Sequence, residues 1–116
     1  VIVNLNATDI DYDKAAMSVT MSIKGDDSFS PSLLSLDGFS QSFKRGITGD
    51  TIGSCEASID QDSLKVKINF LKTKQGESAF RWIRSGILWS FVAAIEPRGK
   101  GQYLTSLGID PYAPIS

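Results

Sequence analysis

Residues 76–97 read GESAFRWIRSGILWSFVAAIEP, more apolar bulk than one element of a 116-residue chain needs. On a helix each residue advances about 100°, which puts Ala79, Phe80, Ile83, Ile87 and Ala94 on one stripe and Trp82 and Trp89 on a second. Glu77, Arg81, Arg84 and Ser85 fill the remaining sector at first, and Leu88, Val92 and Ile95 occupy it further along. The spacing predicts a long helix over 76–97, stopped by Pro97, with two apolar surfaces to bury. Such a helix belongs in the centre of a large protein, in a membrane, or between its own sheet and a partner. The chain is too short for the first. A spanning helix needs roughly 20 predominantly apolar residues, and the run from Gly86 to Ile95, with Arg81 and Arg84 just before it, falls well short. This leaves an obligate homodimer or larger assembly, with Phe80, Trp82, Ile83, Ile87, Trp89 and Phe91 as the expected contact. The plainer alternative is a core helix with a few exposed hydrophobes.

Hydrophobic residues make up 41% and charged residues 22% of the chain, which fits one globular assembly domain spanning residues 1–116. Net charge is −1. A nucleic-acid binder is ordinarily basic, so RNA binding has to come from a local basic face. The absence of histidine removes Ser-His-Asp triads, HExxH zinc sites and histidine acid–base chemistry together. Cys55 stands alone, which excludes an internal disulfide and a thiolate zinc cage. Gly46 to Gly53 has neither the P-loop ending nor Rossmann spacing. Asp9, Asp11 and Asp13 open like a calcium loop, but Lys14 and Thr20 stand where that loop needs glycine and glutamate. Neither catalysis, a cofactor nor a metal is expected, and no secretory signal opens the chain.

Before residue 76 the pattern has period two. Val1–Leu5 reads as a short edge strand, and Asn6–Lys14 as a turn-rich loop. From Ala15 to Lys24, Met17, Val19, Met21 and Ile23 alternate with Ser18, Thr20, Ser22 and Lys24, the signature of a half-buried strand. Leu33–Phe39 reads as a helical turn or short irregular cap, and Lys44–Gly53 as a flexible loop. Cys55, Ala57 and Ile59, then Leu64, Val66, Ile68 and Phe70 across an Asp60–Asp62 turn, predict a hairpin. Gln75 or Gly76 is the expected N-cap of the long helix. Gln102–Leu107 is expected to form a second, short helix ended by Gly108. The fold class is therefore α+β: an antiparallel sheet with one long and one short C-terminal helix on one face, interlocked in a dimer.

Opposite the apolar faces, Lys65, Lys67 and Asn69 share one side of a strand, and Thr20, Ser22 and Lys24 one side of another. Side by side they make a hydroxyl, amide and ammonium surface suited to phosphate and sugar. A solvated face is the alternative, and Glu56 dilutes the patch. Repetition of the lysines around an assembled interior strengthens the RNA reading, because counterion release grows with each phosphate neutralised.

The stretches VKINFLKTKQGESAFRWIRSGILWSFVAA (66–94) and YLTSLGIDP (103–111) resemble, in their order of elements, the C-terminal half of single-stranded RNA bacteriophage coat proteins. The resemblance implies a sheet with one face toward the genome and C-terminal helices covering the partner subunit's sheet. It implies a virion coat subunit assembled in the host cytoplasm, with itself and genomic RNA as partners, no membrane, and the genome-facing role on Lys65, Lys67 and Asn69. Pro31 to Gly53 does not follow that family's strand meander. The alternatives are a phage tail-tube or matrix-type subunit, and a small-ligand-binding module using a helix–sheet pocket lined by Trp82 or Trp89.

Overall fold

The computed structural model describes residues 1–27, 29–46, 49–85 and 90–110. The strands are β1 (Ile2–Leu5), β2 (Ala7–Asp13), β3 (Ser18–Lys24), β4 (Leu34–Ser35), β5 (Ser42–Arg45), β6 (Thr51–Asp60), β7 (Ser63–Phe70), β8 (Ser90–Arg98) and β9 (Gly101–Asp110). The helix α1 spans Lys74–Ser85, and a 3-10 turn covers Pro31–Leu33. All nine strands join one sheet in the order β1-β8-β9-β5-β6-β7-β3-β2, with β4 beside β9. Pairings are antiparallel except β4 and β5, which both run parallel to β9.

This is a mostly-β mixed sheet with one short helix, which corrects the α+β expectation of a long and a short helix on an antiparallel sheet. The turning point is the second half of the opening stretch. Phe91, Val92 and Ala93 are all buried, and Ser90–Arg98 is an interior strand between β1 and β9. A strand covered on both faces reads as a continuous apolar run, so periodicity does not separate it from a buried helix. Its aromatic and β-branched members, Phe91, Val92 and Ile95, tip the balance toward strand. Pro97 fits because Ile95 exchanges both backbone hydrogen bonds with Val1. Two residues on, the missing N–H of Pro97 faces that same side but lies past the end of β1, where no described strand continues the pairing. Residues 101–110, where the second helix was expected, return as β9. The hairpin loop is Gly99-Lys100, with Gly99 at φ 60° in the first central position, as a type II′ turn demands.

Two further stretches differ from expectation. Ala7–Asp13, read as loop, is the edge strand β2, irregular between Thr8 and Asp11 where Asp9 takes φ 52°. The Lys44–Gly53 stretch, read as loop, contributes to β5 and β6. Within the Leu33–Phe39 segment, Leu34–Ser35 form β4.

The sheet curls around its apolar face within overall dimensions of 41 × 27 × 26 Å. One inward row crosses six strands in register: Val3, Ala93, Leu107, Phe43, Gly53 and Phe70. The missing side chain of Gly53 lets Phe43 and Phe70 meet edge-to-face at 5.9 Å. Phe43 lies 6.2 Å from Phe91, and Phe70 lies 5.5 Å from Phe80 of α1. These rings tie the two halves of the sheet and the helix into one core, the rows Val19–Ile68–Cys55 and Met21–Val66–Ala57 extending it.

Candidate functional site

Two surfaces gather the polar chemistry. The first is the outer face of β2-β3-β7-β6. Because Val19, Met21, Ile23 and Leu64, Val66, Ile68 point inward, their neighbours must point out. Cross-strand register aligns Ser18, Asn69 and Ser54; Thr20, Lys67 and Glu56; Ser22, Lys65 and Ser58; and Lys24, Ser63 and Asp60. The structure thus brings Lys65, Lys67, Asn69, Thr20, Ser22 and Lys24 onto one face. Lys65 Nζ donates to Ser22 Oγ at 2.7 Å, leaving Ser22 only 5% exposed. A hollow of about 370 Å³ lies over this face between Asp9, Glu56, Lys65 and Lys67. The edge strand adds Asp11 and Asp13 to the same rows. Carboxylates of Asp9, Asp11, Asp13, Glu56 and Asp60 therefore outnumber the ammonium groups of Lys14, Lys24, Lys65 and Lys67.

The second surface is a pocket between α1 and the sheet. Thr73 is the N-cap of α1, where Gln75 or Gly76 is expected from sequence. Its Oγ1 accepts from Gly76 N–H at 3.2 Å, the bond that satisfies one orphan donor of a first turn. Ala79, Phe80 and Ile83 form the buried stripe, and Tyr12 Oη donates to the Ile83 carbonyl at 3.2 Å, tying the last turn to β2. Trp82 lies off this stripe. It walls a pocket of about 280 Å³ whose floor is Ile52, Ala79 and Ile109 and whose rim carries Arg45, Asp50 and Lys74. The Arg45 guanidinium sits 5.1 Å from the Trp82 ring centroid, a cation–π distance.

Of the expected oligomer contacts, Phe80, Ile83 and Phe91 are at most 5% exposed within the single chain. Trp82 is half-buried, and Ile87 and Trp89 lie outside the described residues. The pocket's Arg45 and Asp50 come from the stretch read as loop, and nothing local in the sequence signals that β5, β6, β9 and α1 converge there.

Cys55 is 1% exposed on β6, and burial pushes its thiol from 9.0 to about 12. The folded protein keeps that proton where the unfolded chain loses it. Stability is accordingly unaffected by this group below about pH 9 and falls between about pH 9 and 12, at up to about 1.4 kcal/mol per pH unit. Iodoacetamide at pH 8 is expected to label Cys55 only in denaturant; equal rates with and without urea would show the thiol to be accessible.

Among the described residues no cluster of three or more His, Cys, Asp or Glu side chains is placed to hold a metal, and no helix is long and apolar enough to cross a membrane. No protein-family model, curated protein or solved structure matches the chain.

Proposed function

We propose that this chain is a non-catalytic binding module that holds a small molecule in the pocket between α1 and the sheet. The observation that carries this is Trp82, held within one chain as the wall of a pocket with an apolar floor and a polar rim. Ligand sites are typically concave and mostly apolar, with a few convergent polar groups. A cavity of roughly 150 Å³ accepts benzene, so about 280 Å³ accommodates one ring with a substituent. A self-assembling RNA-binding coat subunit has less support. Phe80, Ile83 and Phe91 are taken up by the chain's own core, and the excess of carboxylates on the outer face works against phosphate neutralisation.

The test is a two-dimensional NMR titration of the ¹⁵N-labelled protein with benzoate, benzyl alcohol and benzylamine, with Trp82→Phe to assign the indole N–H. At least one probe is expected to shift the Trp82 indole and the Ala79 and Ile52 amides with millimolar affinity, about −4 kcal/mol, leaving Thr20 and Ser22 still. Shifts confined to the outer face, or none, would dispose of the pocket reading.

A further inference from the structure

We infer that the free edge of β6 receives an extended peptide segment that alternates apolar and basic residues. The site is separate from the α1 pocket and does not depend on it. β6 runs for 10 residues, Thr51–Asp60, but β5 pairs with it only from Thr51 to Ser54, and the last bond on that side is the Cys55 N–H donating to the Gln41 carbonyl at 2.7 Å. Backbone groups alternate sides along a strand, so the N–H and C=O of Ala57 and Ile59 point the same way as those of Cys55. Among the described residues nothing pairs with them. A hollow of about 360 Å³ opens at this edge, lined by Leu36, Phe39, Gln41, Cys55, Glu56 and Ala57. Ile59, the next inward residue of β6, is 37% exposed.

Ala57 and Ile59 can each exchange two hydrogen bonds with an added antiparallel strand, the mode in which backbone bonds supply affinity and alternate side chains supply specificity. Residues of that strand opposite Ala57 and Ile59 face inward, toward the apolar side of the hollow. Those opposite Glu56 and Asp60 face outward, beside two carboxylates. Lys67, across from Glu56 on β7, does not come within 4.0 Å of it, and Lys65 reaches away from β6 to Ser22 at 2.7 Å; the ion pair among the described residues is Arg98 with Glu96. Opposite charges in cross-strand positions attract and like charges repel, so the outer row of the incoming strand is basic. The same rule disfavours a second copy of this chain. Two β6 edges paired antiparallel about Ser58 would set Glu56 of each against Asp60 of the other.

The test is an NMR titration of the ¹⁵N-labelled protein with acetylated, amidated Lys-Val-Thr-Val-Lys, whose valines meet Ala57 and Ile59 and whose lysines meet Glu56 and Asp60. Millimolar peptide is expected to shift the Ala57, Ile59 and Phe39 amides and leave the Trp82 indole still. Replacing both lysines by glutamine is expected to weaken binding about five-fold, and glutamate to weaken it further, the gap narrowing as salt is raised. Glu56→Gln, at an exposed position, is expected to weaken the lysine peptide about two-fold and leave the glutamine peptide unchanged. N-methylation of both valines removes the N–H groups that face β6 and should abolish the shifts. If the glutamate peptide binds as well as the lysine peptide, or Glu56→Gln has no effect, the basic partner is overturned. Undiminished binding of the N-methylated peptide, or no shift along β6, overturns strand addition itself. Shifts of the same amides on diluting the protein alone would make a second copy the occupant and overturn the peptide.

Discussion

Phe70→Ala is expected to lower the free energy of unfolding by about 3–5 kcal/mol, the range for removing a buried phenylalanine. Phe70 is 5% exposed and its ring touches both Phe43, at 5.9 Å, and Phe80, at 5.5 Å. Deleting it therefore opens a cavity where β5, β7 and α1 meet, and each ring contact adds about 0.5–1.5 kcal/mol to the area term. Set against a typical total of about 5–15 kcal/mol, that loss leaves the variant folded but close to its limit. Urea denaturation followed by far-ultraviolet circular dichroism measures it, and Leu71→Ala, next in sequence but 41% exposed, is the control with a change within about 0.5 kcal/mol. A loss for Phe70→Ala no larger than the control's would mean that α1 does not sit on the sheet as described.

Gly108→Ala is the second large effect, expected at about 3 kcal/mol, the upper end for forcing extra volume into a packed interior. A Cβ at position 108 would lie 2.6 Å from the Lys44 carbonyl oxygen and 2.8 Å from that of Gly46. Both are backbone atoms of the strand running parallel to β9 or of the residue that follows it. Neither yields by a rotamer change, so the methyl has to push β5 away from β9 and weaken the Phe43–Leu107 row. Measured by the same denaturation, a change below about 0.5 kcal/mol, the level of an unconstrained surface site, would show that β5 does not lie against Gly108 in this register.

What was legible from sequence follows how local the deciding information is. Val19, Met21 and Ile23, and Leu64, Val66, Ile68 and Phe70, announce their buried faces by alternation alone. The same alternation is what aligns Lys65, Lys67 and Asn69 with Ser22, Thr20 and Ser18 on the outer face. Residues 90–98 were illegible for the opposite reason. Burial on both faces erases the alternation, and the helical stripe begun by Ala79, Phe80 and Ile83 runs on into a segment that belongs to another element. Asp9, Asp11 and Asp13 hide β2 because acids are poor strand formers, yet on an edge strand such charges deter pairing with a stranger. Of the pocket, Trp82 stood out in the sequence. Arg45 and Asp50 did not, because their approach to Trp82 depends on the parallel pairing of β5 with β9, which joins residues far apart along the chain.

The central position of β9 bears on how the protein is made. β5 runs beside residues 107–109, β4 beside 102–103, and β1 waits for residues 91–94. During synthesis on the ribosome, the β2-β3 and β6-β7 hairpins can pair through β3 and β7 as they emerge, but β1, β4 and β5 have no partner on one or both sides until the β8-β9 hairpin has left the exit tunnel. The half-built sheet then exposes the Phe43 and Phe70 rings and open strand edges, the features that make incomplete chains prone to aggregate. Closure of this fold thus waits on the β8-β9 hairpin, and is limited by long-range pairing and slow in proportion to it.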